Sequence, residues 1–187
     1  MTVAVYAGSF DPLTWGHLDL IFRGARIFDK IYVAVGINPN KKPLFSVELR
    51  EEMIREAVVN GAPSWGKELV DRIHVSCFEG LLVDYCHLVQ ADAIIRGLRA
   101  VTDFEAEMAI ADANHTMASQ IETVFFPTHK EFTFISSSTV KEMAKHSSAT
   151  SWLVLQKYVP HNVLEAMRAK MGHPAPPQRS DHYHPEK

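Results

Sequence analysis

The chain has 187 residues, of which 47% are hydrophobic and 22% are charged, so it is long enough for one domain with a full core. The formal net charge of -3 gives no overall attraction to nucleic acid or to an anionic membrane, and two cysteines are too few for a disulfide framework or a structural zinc site. The sequence shows no secretory leader and no apolar run of about 18 residues, so we expect a cytoplasmic protein that does not cross a membrane.

Predicted strands and helices alternate along the chain. Short apolar runs predict strands at residues 3–7, 31–37, 73–77, 93–95 and 121–126. Apolar residues spaced three and four apart predict helices at about residues 16–28, from 47 onward, 81–89, 102–117, 139–145 and 160–171. The predicted N-caps are Thr14, Ser46, Thr102 and Thr139, and the last two have a glutamate three residues later that completes a capping box.

Two segments carry no helix or strand signal. Residues 60–71 contain Gly61, Pro63 and Gly66 and are predicted to be a loop. Residues 172–187 are rich in proline and histidine without apolar periodicity, so this tail is predicted to be disordered. The remaining residues, 1–171, are predicted to form a single domain.

The alternation of strands and helices predicts the fold class. Strands that are separated by helices form right-handed crossovers and a parallel sheet. We therefore expect an α/β fold, a Rossmann-like, doubly wound, parallel five-stranded sheet with helices on both faces. Ligands of such folds bind beyond the carboxyl ends of the strands, and the candidate functional groups of this chain all follow predicted strand ends.

The first candidate group lies between the first strand and the first helix. Gly8 and Ser9 form a turn after the strand, and Gly16 and His17 open the helix. A helix N-terminus with free N–H groups favours a bound anion, and an imidazole N–H adds one donor for a phosphate oxygen. A plain strand-to-helix turn and a histidine satisfied within the fold are the alternatives, but the combination favours a nucleotide phosphate.

Two arginines follow the fourth predicted strand. Arg96 and Arg99 flank Gly97, and each guanidinium can bind two phosphate oxygens at once. The alternative is surface charge that pairs with Asp103 or Glu107. An arginine pair directly after a core strand favours the phosphate clamp over that alternative.

Lysines and serines follow two further strands. Lys41 and Lys42 lie in a loop after the second strand, where the alternative is a solvated loop. Residues 136–138 are three consecutive serines before a helix, where simple capping would need only one of them. Their hydroxyls and the free N–H groups suit the β- and γ-phosphates of a nucleotide.

These motifs together resemble the bacterial phosphopantetheine adenylyltransferases, a family of the nucleotidyltransferase superfamily, over about residues 3–171. The superfamily signature G-(T/S)-F-D-P-x-x-x-G-H is present from Gly8 to His17. Three further blocks match the family, namely residues 41–43, 95–105 and 134–138. The signature marks the superfamily, whereas the arginine and serine blocks together are more specific to this enzyme.

The resemblance implies an activity and its partners. It implies transfer of adenylyl from ATP to 4′-phosphopantetheine, which gives dephospho-coenzyme A and pyrophosphate in the penultimate step of coenzyme A synthesis. It also implies Mg²⁺ as cofactor, without assigning it a protein ligand, a homohexamer, and feedback inhibition by coenzyme A.

The resemblance also implies roles for individual residues. The catalytic residues would be His17 and Lys41. The acceptor would contact Ser9, Lys41, Leu82 and Arg96. ATP would contact Ser9, Phe10, His17, Gly97, Leu98, Arg99, Glu107, Phe132, Thr133, Phe134, Ile135, Ser136, Ser137 and Ser138.

The sequence departs from the family pattern in several places. Ala7 replaces the usual proline, Ser9 stands where threonine is commoner, and Trp15 occupies a position that is usually small or polar. The segments 60–71 and 146–157 are enlarged. These departures bear on regulation and subunit contacts more than on the chemistry.

Three other functions are compatible with parts of the pattern. One is a related nucleotidyltransferase that acts on nicotinamide mononucleotide or a cytidine nucleotide, against which the arginine and serine blocks argue. Another is a non-catalytic sensor of adenine nucleotide or coenzyme A, which would need neither His17 nor Lys41. A nucleic-acid-binding module is disfavoured by the net charge of -3.

Overall fold

The computed structural model describes residues 1–99, 101–146 and 149–172. These residues form a parallel five-stranded sheet with the strand order β3-β2-β1-β4-β5. The strands are β1 (Val3–Gly8), β2 (Lys30–Ile37), β3 (Ile73–Glu79), β4 (Ala93–Leu98) and β5 (Glu122–Pro127). The predicted fold class is confirmed, and each predicted strand is present with bounds that differ by up to three residues.

Helices follow the strands and cover both faces of the sheet. They are α1 (Trp15–Ile27), α2 (Val47–Trp65), α3 (Leu82–Leu88), α4 (Val101–Met117), α5 (Ser137–Lys145), α6 (Ala149–Leu155) and α7 (His161–Met171). Short 3₁₀ helices occupy Lys67–Arg72 and Lys130–Phe132. Within the described ranges, none of these helices has the length and apolar character that a bilayer-spanning segment needs.

The core lies on both faces of the sheet because successive strand residues point to opposite sides. Ala4 and Tyr6 of β1 belong to a large apolar cluster that includes residues of α1, α2 and α7. Val5 and Ala7 belong to a second cluster with residues of α3 and the segment after α4. Burial on both faces explains why the strands are almost continuously apolar.

The strand order creates a switch point at the centre of the sheet. From β1 the chain proceeds through β2 to β3 on one side, and β4 and β5 lie on the other side. The helices that leave β1 and β4 therefore diverge, which opens a crevice beyond the carboxyl ends of these two strands. The turn after β1 and the residues at the end of β4 are thus the two sides of the expected ligand site.

The predicted loop at residues 60–71 is wrong. Helix α2 continues through Pro63 to Trp65, and a 3₁₀ helix follows. The Trp65 ring stacks on Phe22 of α1, with centroids 5.3 Å apart and planes within 7°, and Arg26 Nη2 donates to the Trp65 carbonyl over 3.2 Å. This packing against α1 overrides the weak local helix propensity of the segment.

Two predicted helix starts also need correction. The N-cap of α5 is Ser136, whose Oγ accepts from the Thr139 N–H over 3.0 Å, so Thr139 is the third helical residue and not the cap. Helix α4 begins at Val101, so Thr102 lies inside it, and the Thr102 side chain falls outside the described part. The predicted caps Thr14 and Ser46 are confirmed, because their hydroxyls accept from N–H groups three residues later.

The enlarged segment 146–157 contains the unpredicted helix α6. Trp152 and Leu155 of this helix are buried, and the Arg168 guanidinium lies 5.4 Å from the Trp152 ring centroid. Tyr158 lies just beyond α6, and its carbonyl accepts the backbone N–H of Trp15, at the start of α1, over 3.0 Å. The predicted tail begins at Gly172, whose left-handed conformation ends α7, and residues 173–187 lie outside the described residues.

Candidate active site

The turn after β1 is shaped by a close contact between Gly8 and Phe10. Phe10 has a φ of 46° and folds its ring over Gly8, where a Cβ would lie 3.1 Å from the ring. The Phe10 side chain is buried, whereas Ser9 between the two residues is exposed. The turn therefore presents Ser9 at the switch point, as the sequence predicted.

His17 is held by the cap of α1. Its Nδ1 accepts the backbone N–H of Thr14 over 3.0 Å and lies 3.0 Å from Thr14 Oγ1. The Phe10 ring packs edge-on against the imidazole with centroids 5.1 Å apart. Because Nδ1 is an acceptor, the neutral imidazole carries its proton on Nε2 and offers a donor beyond the helix N-terminus.

The surroundings of His17 keep its imidazole neutral. Burial lowers the pKa of His17 to about 4, and the nearby positive charge of Arg99 contributes in the same direction. At pH 7 the residue is thus a hydrogen-bond donor without a full charge. Its interaction with Arg99 also indicates that the groups after β1 and β4 face one crevice.

The lowered pKa of His17 predicts a pH-dependent stability. In the unfolded chain the histidine binds a proton below about pH 6.5, whereas the folded chain resists that proton down to about pH 4. The free energy of unfolding should therefore fall as the pH drops through this window, by roughly 2–4 kcal/mol from this residue. Urea unfolding between pH 7.5 and 4.5 measures the loss, which should be smaller in His17→Asn. Parallel curves for the two proteins would rule out this source of the pH dependence.

Asp11 connects three segments of the site. Its carboxylate is buried and accepts the backbone N–H groups of Leu44 and Phe45 over 2.9 and 3.0 Å. Lys141 Nζ of α5 lies 3.2 Å from the same carboxylate. The turn after β1, the loop after β2 and the middle of α5 are therefore held together by one side chain. The sequence analysis assigned no role to Asp11, although its place in the signature marked it.

Arg50 is a second residue that the sequence analysis missed. It is buried in α2, and its Nη1 donates to the Ser9 carbonyl over 2.7 Å while Nε donates to the Ser46 carbonyl over 3.3 Å. The guanidinium thus supports the backbone of the turn that presents Ser9. A single arginine in a helical pattern carries no sequence signal for such a contact.

The predicted lysines lie in an ordered turn after β2. The Asn38 side-chain oxygen accepts the Asn40 N–H over 2.9 Å, and the Asn38 carbonyl accepts the Lys41 N–H over 3.1 Å. Lys41 and Lys42 are both exposed. Because β2 neighbours β1, this turn places mobile positive charges beside the switch point.

Both predicted arginines have carboxylate partners on α4. Arg96 makes a two-point ion pair with Glu107, with Nε–Oε2 and Nη2–Oε1 distances of 2.6 and 2.9 Å. Arg99 Nε lies 3.1 Å from Asp103 Oδ2. The pairing that the sequence analysis raised as an alternative is therefore present. It also brings Glu107 to the same crevice as Arg96.

The arginines face the end of β1. Burial raises the pKa of the Tyr6 phenol, and the positive charges of Arg96 and Arg99 oppose that rise. Gly97 between them leaves room for α1, because a Cβ there would lie 2.8 Å from Leu20. The glycine in this block thus permits close packing of β4 against α1, and Leu98 after it is half-buried.

The segment before α5 lies against the start of α1. Phe132 is buried, and its Cβ is 3.3 Å from where a Cβ of Gly16 would lie. Thr133 is half-buried and Ile135 is buried, whereas Phe134 is 87% exposed. An aromatic ring is therefore presented to solvent beside the helix that carries His17.

The three serines have different environments. Ser136 caps α5. Ser137 Oγ donates to the Pro12 carbonyl over 2.7 Å, which joins α5 to the turn after β1, and Ser138 is exposed. Leu82 opens α3 beyond β3 and is half-buried, so it lies farther along the sheet from the switch point than the other predicted residues.

Comparison with known proteins identifies the family. Residues 5–143 match the family model described as cytidylyltransferase-like. The phosphopantetheine adenylyltransferase of Heliobacterium modesticaldum is 48% identical over 172 residues, which cover 92% of this chain and 94% of the relative. The chain belongs to the phosphopantetheine adenylyltransferase family. The enzymes of that name from Synechococcus elongatus and Crocosphaera subtropica are 46% and 43% identical over 88% and 89% of this chain, covering 90% and 97% of the relatives.

Solved structures outside this family share the fold. The nicotinic acid mononucleotide adenylyltransferase of Plasmodium falciparum, complexed with NaAD, has a TM-score of 0.63 at 16% identity, covering 90% of this chain and 95% of its own. A putative nicotinate-nucleotide adenylyltransferase from Vibrio parahaemolyticus has a TM-score of 0.64 at 14% identity, covering 89% and 99%. At these identities the likeness concerns the fold alone.

Proposed function

We propose that this protein is an enzyme that transfers adenylyl from ATP to 4′-phosphopantetheine, giving dephospho-coenzyme A and pyrophosphate, the penultimate step of coenzyme A synthesis. Relatives that are 43–48% identical over at least 88% of the chain carry the name phosphopantetheine adenylyltransferase. The structural observation that carries the proposal is His17, a neutral imidazole at the N-terminus of α1, close to Arg99, which follows β4. Its Nε2–H has no acceptor among the described residues.

The reaction needs positioning and charge stabilisation more than a base. An oxygen of the acceptor phosphate attacks the α-phosphorus of ATP in line, and the bond from that phosphorus to the β-bridging oxygen breaks as pyrophosphate leaves. The acceptor phosphate is already anionic at pH 7, so no proton has to be removed from it. Donors that are fixed around the α-phosphate can therefore supply most of the rate enhancement.

The proposed roles follow from the positions of the donors. His17 and Lys41 contact the α-phosphate in the transition state, and Arg99 with residues 136–138 holds the β- and γ-phosphates. The remaining proposed ATP contacts are Ser9, Phe10, Gly97, Leu98, Glu107, Phe132, Thr133, Phe134 and Ile135. The proposed acceptor contacts are Ser9, Lys41, Leu82 and Arg96. To bind Arg96, the acceptor phosphate would have to displace the Glu107 carboxylate, which pairs with that guanidinium.

Mg²⁺ is proposed to accompany the ATP triphosphate and to neutralise part of its charge. Within 1–99, 101–146 and 149–172, no three His, Cys, Asp or Glu side chains lie together as a metal site would require. The Asp11 carboxylate is already engaged by two backbone N–H groups and Lys141. We therefore propose that phosphate oxygens and water supply most of the ligands of this ion, as is common for Mg²⁺ with nucleotides.

The proposal extends to assembly, regulation and location. Helix α4 leaves large apolar side chains between 42% and 49% exposed, namely Phe104, Met108, Ile110 and Met117. Phe104 and Met108 lie on one side of this helix and Ile110 and Met117 on the other. Exposed apolar side chains of this kind support burial between subunits, and we propose a homohexamer. Feedback inhibition by coenzyme A, which contains the product of the reaction, and a cytoplasmic location complete the proposal.

Adenylyl transfer to a related acceptor is the second candidate function. The solved structures that share the fold include adenylyltransferases named for nicotinic acid mononucleotide and for NMN. The two candidates use the same adenylyl chemistry and differ in the acceptor. A sensor that binds the nucleotide without turnover is the third.

Pyrophosphate release separates these candidates. The protein is incubated with ATP and Mg²⁺, with 4′-phosphopantetheine, with nicotinamide mononucleotide, or with no acceptor. We expect release with 4′-phosphopantetheine only. Release with nicotinamide mononucleotide only would overturn the acceptor, and release with neither would favour the sensor.

A further inference from the structure

A buried carboxylate outside the residues discussed so far lies beside the proposed ATP site. Asp19 of α1 has a fully buried side chain, two residues after His17. Arg23 Nη1 lies 2.9 Å from its Oδ2, and His129 Nδ1 lies 3.0 Å from its Oδ1. A buried carboxylate is costly unless it is paired. Arg23 donates a hydrogen bond to Oδ2, whereas Oδ1 makes no hydrogen bond within the described residues and has the His129 ring as its polar neighbour.

The partners of Asp19 hold the chain where it leaves β5. Arg23 Nη1 also donates to the Pro127 carbonyl over 2.9 Å, and its guanidinium lies 5.2 Å from the Phe126 ring centroid. Pro127 is the last residue of β5, and His129 directly precedes the 3₁₀ helix at Lys130–Phe132. One carboxylate thus fixes two successive points of this connection to α1.

His129 also supports the residues that follow it. Its carbonyl accepts the Phe132 N–H over 2.9 Å and the Thr133 hydroxyl over 3.3 Å. Phe132 in turn packs against Gly16 at the start of α1. A shift of His129 would therefore be passed to the segment from Phe132 to Ser136, which ends at the N-cap of α5.

We propose that Asp19, Arg23 and His129 form a positioning cluster that fixes the segment 128–136 against α1 and thereby sets the affinity for ATP but not for the acceptor. The inference rests on the proposed function, in which this segment binds ATP. The proposed acceptor contacts lie on other segments, after β1, β2, β3 and β4, and none of them touches the cluster through a contact described above.

His129 is the member of the cluster that can be changed without disturbing the core. Its side chain is 53% exposed, whereas that of Asp19 is fully buried. His161 on α7 offers a matched control, because it is 51% exposed and lies 3.7 Å from Glu165. Both histidines have a carboxylate neighbour, but only His129 precedes the proposed ATP segment.

The test compares KM values for the two substrates in His129→Ala and His161→Ala. We expect His129→Ala to raise KM for ATP about threefold to fivefold, as the loss of a partly exposed polar contact allows. KM for 4′-phosphopantetheine and the melting temperature should stay near their original values. His161→Ala should change neither KM. In a double-mutant cycle, His129→Ala should add little to Asp19→Asn.

The outcomes separate this inference from the proposed function. An unchanged KM for ATP in His129→Ala, or equal rises for both substrates, would overturn the positioning cluster. If the unsubstituted protein releases no pyrophosphate with any acceptor, the proposed function fails, and calorimetric binding of ATP to the same variants then decides the inference. Should Asp19→Asn fail to fold, the comparison of His129→Ala with His161→Ala still decides it.

Discussion

Replacing His17 by alanine should lower kcat for adenylyl transfer by about 10²–10³, which corresponds to roughly 3–4 kcal/mol of transition-state stabilisation. The reason is geometric. The imidazole is oriented by Thr14 and kept neutral by burial, so its Nε2–H is ready to donate where negative charge develops on the α-phosphate. KM for ATP should change little, because the contact acts mainly in the transition state.

Steady-state kinetics with saturating acceptor measure this effect. His161→Ala is a control, since it removes a half-exposed imidazole that has no proposed contact with either substrate. Thr14→Ala should give a smaller loss, because it removes the hydroxyl of the cap but keeps the backbone N–H that His17 accepts. A raised KM with kcat nearly unchanged in His17→Ala would contradict a transition-state role.

Replacing Asp11 by asparagine should lower the free energy of unfolding by roughly 2–4 kcal/mol. The carboxylate offers an acceptor oxygen to each of two backbone N–H groups and a charge to Lys141. The amide of asparagine has one oxygen, so its NH₂ group would face a second donor, and Lys141 would lose its buried counter-charge. Urea unfolding measures the change, and kcat/KM should fall too because the turn bearing Lys41 loses its tether.

Asp29→Asn is the matched control for Asp11→Asn. Asp29 also accepts a backbone N–H, from Thr2 over 2.7 Å, but its side chain is 57% exposed. We expect this substitution to cost much less than Asp11→Asn, since water can replace the lost contact. If the two variants lost equal free energy of unfolding, the contacts of the buried Asp11 would stabilise the fold no more than the contact of the exposed Asp29.

The fold could be predicted from the sequence because local and global signals agree. The β-branched runs and the three- and four-residue apolar spacing between them require parallel strands with crossovers, and β1 next to β4 creates the switch point. The prediction failed at residues 60–71, where Pro63 and Gly66 indicated a loop. The stacking of Trp65 on Phe22 joins residues 43 positions apart, and such contacts leave no local pattern.

Only some residues of the candidate site could be predicted from the sequence. Groups near the carboxyl ends of strands, such as Ser9, His17 and Arg96, could be placed at one edge of the sheet from the sequence, because the carboxyl ends of parallel strands meet there. The residues that hold these groups in place could not be predicted from the sequence. Asp11 reaches Lys141 across 130 positions, and Asp19 reaches a histidine after β5, and only the folded chain brings these groups into contact.

Identification of the phosphorus-containing product distinguishes adenylyl transfer from the other reactions of ATP. The protein is incubated with ATP, Mg²⁺ and 4′-phosphopantetheine, and the mixture is followed by ³¹P NMR and mass spectrometry. We expect a new phosphoric anhydride between the adenylyl group and the acceptor phosphate, with one pyrophosphate for each product formed. Formation of ADP would indicate phosphoryl transfer and formation of AMP alone would indicate hydrolysis, and either result would contradict adenylyl transfer by this site.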